Sequence, residues 1–389
     1  MSNYSTKKIF FSGIALCLLV LLSCSHEKEG ATLFPKPDGS RIAIKYTQLH
    51  VDTIRLNDEG VECSLSGFSG VNHDGDYYFV DSRLCRYYVF DVNGNFKKYH
   101  LGYGPGPKET TAGIELCCML PDTSLFMLGT RIDYLVYDKN FDKKTHFMSH
   151  HSHITASDVP DLSADWRTYS HDVICRTYNN KIYIGMFSEH SEFNYLENTK
   201  AYLKKSNHIL EADLASEHVG KMYATGYPPI YHEHPYDYSV YSYRINFDID
   251  RTGNFYVSYE ADSLIYKYDS DYNPLCSFGY AGTNIRMKIS SVSGYSGMKN
   301  YFKTDIMNNG FYDWLEYVDE TGLLFRSYKK GSHEASDGLQ IYSDTGLLAD
   351  VAVPKDLKVA GYVAPYYYSQ AIADPEKETL TVYRFKLSE

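Results

Sequence analysis

Four histidines fall within eight positions: His146, His150, His151 and His153. Imidazole is the commonest metal ligand, so the grouping invites a metal site. A second group, His232-Glu233-His234, is a fragment of the same chemistry. It does not complete H-E-x-x-H, and Pro235 bars the helix that motif needs. A strand or loop rarely turns several imidazoles to one point, and no carboxylate pattern accompanies the first group. No metal ligand and no cofactor is therefore assigned. Residues 223–243, YATGYPPIYHEHPYDYSVYSY, offer different chemistry through seven tyrosines. Tyrosine brings a large contact area, few rotors and a polar tip, which suits recognition. Tyr227, Tyr231, His232, His234 and Tyr236 are the candidate ligand-binding residues. The competing reading is packing, because Tyr is common along the whole chain, 39 in 389 residues.

The stretch HLGYGPGPKE, residues 100–109, raises the question of a phosphate cradle. Gly102, Gly104 and Gly106 match neither G-x-G-x-x-G nor a Walker loop, and no helix pattern follows. Pro105 and Pro107 lack the N–H groups on which such a cradle relies. The loop is expected to leave one sheet for the next. Catalytic motifs are equally scarce. There is no G-x-S-x-G elbow. There is no S-x-D-x-G-x-x-W box, and the two tryptophans are Trp166 and Trp314.

The elements that would position these residues are strands. Residues 71–106, VNHDGDYYFVDSRLCRYYVFDVNGNFKKYHLGYGPG, align with residues 247–282, FDIDRTGNFYVSYEADSLIYKYDSDYNPLCSFGYAG. Each runs turn, Gly, aromatic strand, polar link, strand ending in Asp, turn, strand, Gly-rich exit. Gly75 precedes Asp91 by 16 residues, and Gly253 precedes Asp269 by 16. Apolar strands separated by turn residues predict an antiparallel meander. Weaker copies follow. Phe126 lies twelve before Asp138, as Phe79 lies twelve before Asp91. Residues 311–328 read as a hairpin about Thr321-Gly322, and a further turn falls at Asp344-Thr345-Gly346. Residues 379–385 read as the last strand. The chain is expected to be all-β: a six-bladed β-propeller of four-stranded antiparallel blades. Residues 42–56, IAIKYTQLHVDTIRL, are expected to complete the last blade beside residues 379–387.

The N-terminus carries a targeting pattern. Lys7 and Lys8 precede an uncharged run from Ile9 to Leu22, too short for a comfortable span and suited to a secretory leader. Without residues 1–23, 36 Lys and Arg face 49 Asp and Glu, a net charge of −13. An acidic chain excludes nucleic acid and anionic membrane surfaces as electrostatic partners. Cys63, Cys85, Cys117, Cys118, Cys175 and Cys276 remain beyond Cys24; their scattered spacing fits small buried hydrophobes and no C-x-x-C knuckle is present.

Leu21-Leu22-Ser23-Cys24 resembles the lipobox of bacterial lipoproteins, which implies acylation of Cys24 and a membrane anchor through the lipid. The expected organisation is a leader at 1–23, a tether at 24–41 and one propeller domain at 42–389. Asp250-Arg251-Thr252-Gly253-Asn254-Phe255-Tyr256-Val257 and Tyr88-Val89-Phe90-Asp91-Val92-Asn93-Gly94 resemble the repeats of NHL-type and TolB-like six-bladed propellers. The Gly-Tyr-Gly-Pro-Gly exit resembles a segment of uncharacterised envelope lipoproteins with that fold. The resemblance implies a lipid-anchored cell-envelope protein on the outer membrane, facing the periplasm or the cell surface. Its expected role is non-catalytic binding of a protein, peptide or glycan. Some six-bladed propellers are metal-dependent lactonases or hydrolases, so an envelope hydrolase with its site in the propeller channel is the alternative.

Overall fold

In a computed structural model, residues 34–387 are described except 39, 58, 73, 131–132, 149–153, 157–158, 166–173, 190–198, 234–243 and 287–307. Of residues 154–156, 159–165 and 187–189, and of Thr199, only the backbone is described. The described strands build six four-stranded antiparallel blades, as the repeat predicts. Blade I is Gly67–Val71, Tyr77–Asp81, Tyr87–Phe90 and Phe96–His100. Blade II is Ile114–Met119, Leu125–Gly129, Asp133–Tyr137 and Lys143–Met148. Blade III is Cys175–Tyr178, Lys181–Gly185, Ile209–Asp213 and His218–Tyr223, with a helix at Thr199–Lys205 inserted. Blade IV is Ile245–Ile249, Phe255–Tyr259, Ile265–Tyr268 and Pro274–Phe278. Blade V is Phe311–Val318, Leu323–Lys329, Asp337–Ser343 and Gly346–Val353. Blade VI takes Val359–Val363, Tyr366–Ser369 and Thr379–Phe385 from the C-terminus. A three-stranded sheet of Ile154–Ala156, Val159–Asp165 and Phe187–Glu189 stands apart from the six.

The fourth strand of blade VI comes from the other end of the chain. Val51–Leu56 pairs antiparallel with Thr379–Phe385, from Val51 opposite Phe385 to Leu56 opposite Leu380. The expected closure is therefore present, but residues 42–56 are not one strand. Arg41–Ile42 first runs parallel to Gly346 and Leu347 on the outer edge of blade V. The chain then crosses to blade VI. Closure removes both the unpaired edge of Thr379–Phe385 and the gap in the ring.

The turns explain the repeat's fixed polar residues. Asp91 accepts the backbone N–H groups of Asn93 and Asn95, each at 2.8 Å, and the Asn95 side-chain amide at 3.0 Å. Its counterpart Asp269 does the same with Asp271, Asn273 and the Asn273 side chain. The Asn side chain and those backbone donors hold both carboxyls below the usual range. Asp138 and Asp250 close their turns in the same way. Gly75 and Gly253 sit at φ +83° and +89°, which a side chain would strain.

Both faces of each blade are covered by neighbours, so most blade strands are apolar without strict alternation. Six hydrophobic clusters result, one at each junction between adjacent blades. Blades VI and I share Ile54, Leu56, Tyr77, Phe79, Tyr88 and Val382, so the closing strand also carries core. Among the described residues the cysteines lie in or beside strands, none disulfide-bonded.

Candidate functional site in the central channel

The first strands of the six blades adjoin in a ring about the propeller axis. They enclose a cavity of about 430 Å³ to which every blade contributes. Phe68 and Val71 come from blade I, Cys117 and Cys118 from II, Arg176 from III, and Asp248 from IV. Blade V supplies Trp314, Glu316, Tyr317 and Asp319, and blade VI brings Ala360 and Gln370. A second cavity of about 410 Å³ shares Val71, Glu316, Tyr317 and Asp319 and reaches Glu320, Tyr362 and Val363.

Arg176 organises the wall. Its Nε donates to the Phe247 carbonyl at 3.1 Å, and its terminal nitrogen donates to the Leu315 carbonyl at 2.8 Å. The guanidinium lies 3.0 Å from an Asp248 oxygen and 2.9 Å from Glu316 Oε2, and it covers the Trp314 ring at 4.9 Å. Trp314 Nε1 donates to the Val359 carbonyl at 2.6 Å. One side chain thus ties blades III, IV and V, and its ring partner ties V to VI.

The two carboxylates are not equivalent. Asp248 accepts the backbone N–H groups of Tyr317 at 2.6 Å and Ile249 at 2.8 Å, besides facing Arg176. Glu316 Oε2 is buried beside Arg176 by distance, yet no donor is aligned with it as a hydrogen bond. Burial pushes both carboxyls up, against the pull of Arg176. Glu316 is pushed up to about 8, with the Asp248 charge adding to burial. One guanidinium cannot neutralise two buried carboxylates, so one must hold a proton near neutrality. Backbone donors keep the charge on Asp248, and Glu316 carries the proton. Burial also raises Asp319, whose Oδ1 accepts the Arg251 backbone N–H at 2.9 Å. The cavity lining holds three carboxyl groups and one guanidinium.

Of the residues singled out from sequence, the described ones lie elsewhere. Tyr227 and Tyr231 are 1% and 0% exposed, inside the aromatic core between blades III and IV. Their ring centres are 5.1 Å apart, and Tyr227 stands 4.4 Å from the His208 ring. The Tyr231 hydroxyl accepts the Ala261 backbone N–H at 3.0 Å. Neither ring can touch a ligand unless this core opens, so packing accounts for them. His232 lies at the surface with Nε2 3.0 Å from the Tyr227 carbonyl. His234 and Tyr236 lie outside the described residues, as do Cys24, His150, His151 and His153. His146 pairs with Asp133 at 2.8 Å. Among the described residues, no group of three or more His, Cys, Asp or Glu is placed to hold a metal.

The glycine loop resolves through its own acid. The Gly106 N–H donates to Glu109 Oε2 at 2.8 Å, and a Cβ on Gly104 would meet that oxygen at 2.2 Å. Thr110 N–H donates to the Gly102 carbonyl, and Tyr137 donates to the Glu109 carbonyl from blade II. The loop wraps a carboxylate of the chain itself and fastens blade I to blade II.

Arg176, Asp248 and Glu316 escaped sequence reasoning because they are far apart in the chain and form no motif. The available signal was charge inside first strands: Arg176 in CRTY, Asp248 in INFDI, and Asp313 and Glu316 in FYDWLEYV.

The architecture and its channel define the class: a six-bladed β-propeller. No family model and no curated protein matches the sequence. Among solved structures, the chain superposes on a member of the DUF4221 family from Bacteroides vulgatus with TM-score 0.65 and 13% identity, covering 89% of this chain and 98% of that one. A putative exported protein from Bacteroides fragilis superposes with TM-score 0.51 and 12% identity, covering 91% and 98%. At such identities the likeness is one of fold.

Proposed function

We propose that the chain is an exported binding module, anchored to the envelope through Cys24, whose ligand site is the central channel. The ligand is a peptide or protein segment that presents a basic side chain. The observation that carries this reading is the buried pairing of two carboxyls with a single guanidinium. Glu316 Oε2 has no aligned donor, and Asp319 and Glu320 extend the acidic path outward. A cationic group placed against Glu316 supplies the missing donor and displaces its proton. The leader-like run at residues 1–23 and the lipobox-like sequence ending at Cys24 support export and anchoring. The fold-mate described as a putative exported protein agrees with that reading.

Calorimetric titration with short basic, neutral and acidic peptides tests the site near pH 7. Basic peptides are expected to bind saturably and release protons, seen as a dependence of heat on the buffer's ionisation enthalpy. Glu316→Gln should abolish the proton release. Acidic peptides binding as well as basic ones, or proton release unchanged in Glu316→Gln, overturns the proposal. Turnover of an ester or lactone substrate would point instead to a hydrolase.

A further inference from the structure

Cys118 and Cys175 face each other across the junction of blades II and III. Cys118 is on the first strand of blade II and Cys175 opens the first strand of blade III. Their sulfurs lie 2.8 Å apart, closer than unbonded sulfurs normally rest. Both residues line the channel cavity. Cys118 is partly exposed and Cys175 is buried. Cys117, the neighbour of Cys118, points to the opposite face of its strand and packs with the blade I–II core. Only one of the two adjacent cysteines can therefore reach Cys175.

We propose that Cys118 and Cys175 form a disulfide in the channel wall that joins blades II and III. A disulfide bond is about 2.05 Å long, so the sulfurs have less than 1 Å to close. The oxidant is a small disulfide or an oxidised dithiol protein. The Cys118 thiolate attacks one sulfur of that disulfide and breaks its S–S bond, and the released thiolate takes the Cys118 proton. The Cys175 sulfur then attacks the Cys118 sulfur and displaces the second thiolate, which takes the Cys175 proton. Two cysteines lose two electrons and one external disulfide becomes two thiols. The order follows from access: an oxidant entering the channel meets Cys118. The 2.8 Å separation makes the second step intramolecular, which offsets the scarcity of thiolate at the buried Cys175. The link spans 57 positions of sequence, including two strands of the three-stranded sheet, Ile154–Ala156 and Val159–Asp165. It would fix that side of the ligand cavity while the other blades stay as they are.

The test uses the purified chain without residues 1–24, folded and equilibrated with glutathione disulfide, then unfolded and alkylated without reductant. Six cysteines are available, Cys63, Cys85, Cys117, Cys118, Cys175 and Cys276. Two thiols are expected to disappear, with the loss of two hydrogens in mass and a proteolytic fragment joining residues 118 and 175. Cys117→Ala should still form the link, and Cys118→Ser should not. Six alkylated thiols, a link through Cys117, or a lasting glutathione adduct on Cys118 overturns the proposal. The Cys117→Ala result keeps the test informative if Cys118→Ser fails to fold.

Discussion

Replacing Glu316 by glutamine removes one proton-binding group from the channel and leaves its shape. The wild-type carboxyl titrates near 8 in the folded chain against 4.5 ordinarily, because burial and the Asp248 charge outweigh Arg176. Below pH 4.5 both folded and unfolded chains hold the proton, and the group has no effect. Between pH 4.5 and 8 the unfolded chain has released it and the folded chain has not. The unfolded state then binds fewer protons, so stability falls as pH rises. At about 1.36 kcal/mol per pH unit the ceiling is about 5 kcal/mol, reached by pH 8. Water reaching the channel screens part of this, so a loss of about 2–4 kcal/mol is expected. Glu316→Gln mimics the protonated form at every pH. Denaturant unfolding of both chains from pH 4.5 to 9 isolates the effect, since Asp319 and the turn carboxylates are common to both. The variant is expected to gain on the wild type steadily up to pH 8 and then run parallel. A constant difference across the range would show that Glu316 is ionised throughout, and the assignment of the proton would be wrong.

Removing residues 40–56 strips the closing strand and the buried Ile54 and Leu56 from blade VI. Two such side chains contribute about 3–6 kcal/mol, besides the lost ladder, so cooperative melting should collapse. A truncated chain that melts like the full one would refute closure. Tyr231→Ala should cost about 3–5 kcal/mol by opening a cavity in the aromatic core. Tyr231→Phe should cost about 1–3 kcal/mol, because the Ala261 N–H loses its acceptor. Denaturation midpoints check both, and unchanged midpoints would place Tyr231 at a binding rim after all. Cys24→Ala should move the protein from the membrane to the soluble fraction of lysed cells; retention in the membrane would refute the lipid anchor.

The sequence by itself determined the meander. Asp91 and Asp269 close matching turns, Gly75 and Gly253 occupy matching positive-φ positions, and apolar strands lie between them. These are local demands of hydrogen bonding and backbone sterics, and they repeat at fixed spacing. Closure was legible for a related reason: an unpaired N-terminal strand and an unpaired last strand need each other. The division of residues 42–56 between blades V and VI was not legible, because it depends on where two blade edges stand in space. Composition left the tyrosines open between a binding rim and packing, since it records what a side chain can contact and not the face it occupies. Tyr227 and Tyr231 became core when blades III and IV packed together. The channel was decided wholly by the tertiary structure. Arg176, Asp248 and Glu316 meet only because a ring brings first strands separated by scores of residues to one axis. Only there does burial set two carboxyls against one guanidinium and leave a proton on Glu316.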